Sequence, residues 1–336
     1  MRAILVGAGG MGQTWARNLA DHPSVELAAW VDVRPGAAAA AIESHRLGGV
    51  TPYDSVEKAL AEAGADFLVD VTPPEVHHDV TLAALAAGLP VLGEKPMAAN
   101  MSQARAMVAA SERADKLYMV SQSRRYNAQL QAFRRYVQSD LGELGMLNAD
   151  FYIGAHFGGF RDTMESPLIL DMAIHTFDQA RFVAGRDAVS VYAEEFNPRW
   201  SWYSGDASAS ALFEMEDGVR FNYRGSWCAE GCHTSWDADW RAVGSRGTIK
   251  WEQNGAPTGE RVAGDTGFFR ALEPVSPTVD PIEEGIAGSL AEFIAALNGG
   301  PTPNGECHDN IRSLAMVFAV KASAATGTRV RISDVG

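Results

Sequence analysis

A chain of 336 residues exceeds the roughly 100 to 150 residues of an ordinary domain, so two domains are expected. With 46% hydrophobic and 21% charged residues it can bury a sizeable core, which excludes the disordered and fibrous classes. Its 28 Lys and Arg against 42 Asp and Glu leave a net charge of −14, which argues against nucleic acid or an anionic membrane surface as partner.

From the N-terminus, Arg2 precedes only four apolar residues, Ala3 to Val6, before glycines begin. That is shorter than the roughly 7 to 15 residues of a signal-peptide core, and no run approaches the roughly 20 needed to span a bilayer. A cytoplasmic protein is the expectation. Short apolar runs at Ala3 to Val6, Val25 to Val31, Asp66 to Val71, Pro90 to Leu92 and Lys116 to Val120 read as strands. Between them Gln13 to Ala20, Gly36 to Arg46, Val56 to Ala63, Val76 to Ala87 and Ser102 to Ala114 read as helices. Residues 1–120 are therefore predicted to form a doubly wound α/β domain with a parallel sheet.

The first strand runs into Gly7-Ala8-Gly9-Gly10-Met11-Gly12 at the mouth of the first helix. A GxGxxG in that place gives a tight turn, lets backbone approach a pyrophosphate, and packs helix on strand, with the helix N-terminus facing the phosphates. Asp32 follows twenty residues later at the end of the second strand, where an acid hydrogen-bonds the adenosine ribose. NAD is the cofactor expected. Arg34, two residues on, could hold a 2′-phosphate, which keeps NADP open. Trp15 reads as packing.

Gly93-Glu94-Lys95-Pro96 follows the strand Pro90 to Leu92, at the carboxyl edge where open α/β sheets bind ligands. A lysine there, its pKa depressed by burial or a nearby cation, can take a hydroxyl proton while hydride leaves the same carbon. Taken alone it fits an ordinary surface lysine better. His77 and His78 are adjacent, and adjacent histidines rarely face one site, so at most one is functional.

Beyond residue 120 the pattern changes. Ala128 to Gln138 and Leu168 to Val183 look helical. Ala188 to Phe196, Ser208 to Glu214, Val219 to Trp227, Ser235 to Val243 and Thr248 to Trp251 look like successive strands, Gly255 to Pro281 like a long loop or irregular strand, and two helices follow. In Val219 to Trp227 apolar residues alternate with polar ones, so one sheet face is buried and the other is wet or paired. Residues 121–336 are predicted as an α/β domain with an open, mostly antiparallel sheet, whose C-terminal helix could return to the first domain. Asp171 and His175, at i,i+4 in the second helix, share a face, though such a pair is also common as a solvated or capping pair. The aromatic stretch Phe196 to Tyr203 suits either sugar stacking or packing. Cys228, Cys232 and Cys307 are an odd count, and Cys228, Cys232 and His233 match no common zinc spacing, so neither disulfides nor a metal is expected.

Together, the glycine motif with Asp32, Thr72-Pro73, Glu94-Lys95-Pro96, and Asp171 with His175 leading an antiparallel sheet resemble the Gfo/Idh/MocA oxidoreductases over essentially the whole chain. The resemblance implies that Lys95 is the catalytic proton donor and acceptor, with Asp171 and His175 positioning the reacting oxygens. It implies that Thr72, Pro73, His77 and Glu94 line the nicotinamide side, with Arg125 and Tyr126 bordering the substrate. It further implies a frequently cis Lys95-Pro96 bond and a homodimer or homotetramer through the second sheet. The chain departs from the family at Glu165-Ser166-Pro167, where relatives carry glycines. The reaction expected is hydride transfer between nicotinamide and a carbinol carbon of a sugar, polyol or cyclitol. The alternatives are elimination or glycoside hydrolysis with retained NAD, and a non-catalytic sensor of NAD(P) and sugar.

Overall fold

In the computed structural model, which describes residues 1–335, the first strands and helices alternate strictly. They are β1 (Arg2–Val6), α1 (Gly10–Asp21), β2 (Glu26–Val31), α2 (Ala37–His45), β3 (Thr51–Tyr53), α3 (Val56–Glu62), β4 (Phe67–Asp70), α4 (Pro74–Ala86), β5 (Val91–Gly93), α5 (Met101–Ala114) and β6 (Tyr118–Val120). The six strands make one parallel sheet in the order β3-β2-β1-β4-β5-β6. The order reverses between β1 and β4, which opens a crevice at their carboxyl ends. Helices cover both faces, so every residue of β4, β5 and β6 is buried, and the sequence reads there as unbroken apolar runs. Strand β3, which the sequence reading lacked, is three residues at the sheet edge with Pro52 in the middle, a residue that only an edge tolerates.

The next elements are α6 (Ala128–Ser139), β7 (Leu144–Tyr152), a π-helical turn at Leu168–Ala173, α7 (Ile174–Ala184), β8 (Ala188–Phe196), β9 (Ser208–Met215), β10 (Arg220–Ser226), β11 (Asp239–Gly244), β12 (Gly247–Trp251), β13 (Thr258–Val262) and β14 (Leu272–Val275). With β15 (Val330–Arg331) they form a nine-stranded sheet, β14-β13-β12-β11-β7-β10-β9-β8-β15. Its pairs are antiparallel except β7 with β10. One face is the core: Leu147, Ala149, Phe151, Phe213, Phe221, Tyr223, Trp240 and Trp251 are buried there. Helix α7, buried along its whole length, sets Phe177 edge-on against Phe213 and Tyr223, with ring centroids 5.0 and 5.2 Å apart. The other face pairs polar residues. Asn222 donates to Asn148 at 2.8 Å, and Arg224 holds Asp150 with two bonds of 2.7 and 2.6 Å.

The stretch from Gly255 to Pro281, read as a long loop or irregular strand, contains the β13–β14 hairpin, whereas β7, unmarked in the sequence reading, is the central strand that β10 and β11 flank.

The chain continues through α8 (Gly285–Leu297) and α9 (Cys307–Thr326). It divides into two compact units, Met1–Ser123 with Glu283–Ile311, and Arg124–Ile282 with Arg312 onward. In the first unit Phe293 of α8 meets Phe67 edge-on at 5.5 Å. There Val120 N–H donates to Gly305 O at 2.8 Å, so the segment before α9 borders β6.

Candidate active site

The predicted site residues fall into two groups, one in each unit. In the first unit, Gly7 sits at φ +105°, and a Cβ on it would stand 2.8 Å from Val71 O. A Cβ on Gly12 would stand 2.0 Å from Gly7 O. Both positions accept only glycine. Gly9 differs: an added Cβ meets nothing within 4 Å, so this glycine keeps open the approach to the first turn of α1, where Gly10 and Met11 are exposed. That turn has no acidic residue and no side-chain cap, and its N–H groups and positive dipole end suit a pyrophosphate.

Asp32, at the end of β2, accepts from Ala8 N–H at 2.8 Å and from Arg34 N–H and Nε at 2.9 Å and Nη2 at 2.8 Å. Arg34 is the main reason the carboxyl pKa falls to about 2, against the opposing effect of burial. Asp32 is therefore a fixed carboxylate beside the glycine turn, whereas Arg34 is largely exposed. These residues fit a dinucleotide.

The turns after β4 and β5 are bound to each other. Asp70 Oδ1 accepts from Thr72 N–H at 3.0 Å and Oγ1 at 2.6 Å. His77 places Nε2 2.7 Å from Thr72 O and Nδ1 2.9 Å from Pro96 O. Pro73, the N-cap of α4, is exposed, and His78 pairs with its neighbour Asp79. Glu94 accepts from Trp15 Nε1 at 2.8 Å and from Lys95 N–H at 3.0 Å. Burial pushes the carboxyls of Asp70 and Glu94 up. Lys95 is half-buried and the Lys95-Pro96 bond is cis.

In the second unit Asp171 lies on the π-helical turn and His175 on the first turn of α7, so their i,i+4 spacing runs across a wider turn than a regular helix. Arg161 Nε donates to Asp171 Oδ2 at 2.6 Å, and the Arg161 guanidinium lies 5.1 and 4.7 Å from the ring centres of Phe157 and Phe160. Arg124 is half-buried, and its burial lowers its pKa, while Asp237, Asp171 and Tyr223 oppose that fall. The sequence reading named neither Arg161 nor Arg124. It named Arg125, which is 3% exposed and gives Asp178 two bonds of 2.6 Å, with Ser313 Oγ also donating to Asp178 at 2.6 Å. Tyr126 is buried. Of the aromatic stretch, Trp202 stacks on His156 at 3.7 Å and Tyr203 on Trp227 at 5.9 Å, while Trp200 is exposed.

The cysteines are free thiols. Among the described residues, Glu306, Cys307 and His308 bring metal-type donor atoms within 4.8 Å of one another. Burial and the Glu306 carboxylate keep Cys307 a thiol, and Glu306 caps the start of α9 by accepting His308 N–H at 3.0 Å. No helix among the described residues is long and apolar enough to cross a membrane.

Two family models match the chain. One, described as an oxidoreductase family with an NAD-binding Rossmann fold, matches residues 1–122, and the GFO/IDH/MocA C-terminal domain matches residues 130–250. The chain is 32% identical to an inositol 2-dehydrogenase of Arthrobacter sp. over 57% of this chain and 56% of that protein. It is 28% identical to a D-apiose dehydrogenase of Rhizobium rhizogenes over 91% of this chain and 93% of that one. An oxidoreductase from Agrobacterium radiobacter, solved in complex with NAD+, L-tartaric acid and magnesium, shares the fold with a TM-score of 0.86. Its identity is 24%, covering 99% of this chain and 98% of that one.

Proposed function

Since the chain belongs to the Gfo/Idh/MocA oxidoreductases and carries their NAD-binding Rossmann domain, we propose that it is a dehydrogenase of a sugar, polyol or cyclitol. When bound, NAD supplies the ring carbon that exchanges hydride with the substrate. Lys95, as the neutral amine, takes the proton of the reacting hydroxyl, and its ammonium returns that proton in the reverse direction. His175 orients the reacting oxygen, and Asp171, itself held by Arg161, fixes a neighbouring hydroxyl or His175. Asp32 selects NAD, because a carboxylate there repels the 2′-phosphate of NADP.

The observation that carries this reading is the position of Lys95. It follows β5 at the carboxyl edge of the parallel sheet, half-buried, beside a Glu94 that Trp15 holds in place. The likeness to an inositol 2-dehydrogenase and a D-apiose dehydrogenase supports the choice of substrate class. We further propose a homodimer or homotetramer through the polar face of the nine-stranded sheet, where exposed Met146 pairs with Val243 and Tyr192 with Leu212.

The test is a panel of inositols, sugars and sugar acids assayed for NADH and NADPH formation. NADH formation with one substrate class is expected. Turnover without net NADH would favour the retained-NAD reaction, and NAD binding with no reaction on any substrate would favour a sensor.

A further inference from the structure

We propose that His77 is held as an imidazolium and acts as a positioning residue for Lys95, clamping the turn after β4 to the turn after β5. The positioning role rests on the proton-transfer role given to Lys95 above. The charge of the ring rests on geometry alone. His77 is 2% exposed, and its two ring nitrogens face Thr72 O at 2.7 Å and Pro96 O at 2.9 Å. Both partners are backbone carbonyls, which only accept. A neutral imidazole has one N–H and one lone pair, so in that form one contact would set a nitrogen lone pair against a carbonyl oxygen in a buried place. Such a contact costs what an unsatisfied buried polar group costs. With both nitrogens protonated, both carbonyls are satisfied.

A buried cation needs counter-charges, and two are present. Asp70 of β4 is fully buried and its charge acts on His77, as does that of Glu94 after β5. Oδ1 of Asp70 is engaged by Thr72, while Oδ2 has no hydrogen-bond partner among the described residues, so its stabilisation comes from the field of the ring rather than from a donor. The other charged or titratable groups around the pair are Lys95, which acts on Glu94, Tyr118 of β6, on which Asp70 acts, and on α4 itself Glu75, His78 and Asp79. The ring thus has the carboxyls of Asp70 and Glu94 as its counter-charges.

The mechanical consequence follows from which carbonyls are held. Thr72 begins the turn into α4, and Pro96 follows Lys95 directly, so the ring ties the backbone of the turn after β4 to that of the turn after β5. Loss of one ring proton removes one of the two bonds and leaves the Lys95 turn tied on one side only. Small displacements of a reacting group are costly in rate, by roughly 100-fold per ångström.

The test uses the full-length protein with NAD bound. Long-range proton–nitrogen spectra, with His77 assigned by its loss in H77Q, should show both ring nitrogens protonated at pH 7.5, where exposed imidazoles are mostly neutral. One unprotonated ring nitrogen at that pH would overturn the charge assignment, whatever any variant does. For positioning, kcat of the wild type should fall at the alkaline pH at which the second ring proton leaves, and H77Q should have kcat lower by roughly 10-fold or more without that alkaline step. A protonated His77 combined with wild-type kcat and pH profile in H77Q would overturn the positioning role. A failure of Lys95 itself appears separately, as a Lys95→Met variant that still turns over while the ring spectrum is unchanged.

Discussion

Trp15 of α1 donates its indole N–H to Glu94 Oε1 at 2.8 Å, joining the helix that follows the glycine motif to the turn that carries Lys95. Both residues are buried, so the bond is made away from water and its loss would leave a buried acceptor. Trp15→Phe keeps the ring volume approximately and removes only the donor. It should lower stability by about 1–3 kcal/mol and push the Glu94 carboxyl further up, since the Trp15 bond opposes the effect of burial. Chemical denaturation checks the first, and an unchanged midpoint would show that Glu94 finds another donor.

The glycines of the motif should separate cleanly by role. Gly12→Ala places a Cβ 2.0 Å from Gly7 O, so the turn must move and the variant should lose both stability and NAD binding. Gly9→Val meets no protein atom within 4 Å at its Cβ. It should fold with a nearly unchanged melting temperature yet bind NAD at least 10-fold more weakly, because the side chain enters the approach to the phosphates. Calorimetric titration with NAD and a thermal melt of each variant distinguish the two cases.

Asp32 has a carboxyl pKa of about 2 against an ordinary value of 3.8, chiefly through Arg34. A carboxylate whose folded pKa is depressed stabilises the fold above its unfolded pKa, and that contribution disappears as pH falls from about 4 towards 2. Arg34→Ala should therefore make the protein slightly less stable at neutral pH and bring the two proteins together near pH 2. The difference at neutral pH should be small because Arg34 is largely exposed. Asp32→Ala should weaken NAD binding more than NADP binding, read by cofactor fluorescence titration; an unchanged preference would contradict the role given to Asp32.

Arg125 and Arg161 should differ in what they disturb. Arg125 and Asp178 form a pair buried at 3% and 1% exposure, so Arg125→Met leaves an uncompensated buried carboxylate and should cost about 3–5 kcal/mol of stability. Arg161 is partly exposed and holds Asp171. Arg161→Met should leave stability almost unchanged and raise KM for the substrate, since it loosens the carboxylate proposed to fix a hydroxyl. A stability loss in both variants would argue that Arg161 is structural.

The parallel sheet was legible apart from its exposed edge strand β3, because its inner strands are buried on both faces, and the glycine motif because Gly7 and Gly12 have no room for any side chain. What escaped was set by tertiary context. Strand β7 begins Leu144-Gly145-Met146, which breaks the alternation that Leu147, Ala149 and Phe151 then establish. The π-helical turn at Asp171 leaves no local signal, as its residues read like the helix that follows. Arg124 and Arg125 are neighbours of identical chemistry, and only the fold directs one towards Asp171 and the other into Asp178. Arg161 lies ten residues from Asp171 in a five-residue 3₁₀ turn, Gly159–Thr163, too short for periodicity to mark. Trp15 was read as packing because nothing in its sequence neighbourhood announces a partner 79 residues away.

The role of Lys95 is the centre of the account, and the most direct test is the steady-state turnover of Lys95→Met with the substrate identified from the panel, measured together with its NAD affinity. In this variant kcat should fall by roughly 100-fold to 10,000-fold, the range of a lost general base, while the dissociation constant for NAD stays within about threefold. A variant that binds NAD normally and turns over at the wild-type rate would contradict it.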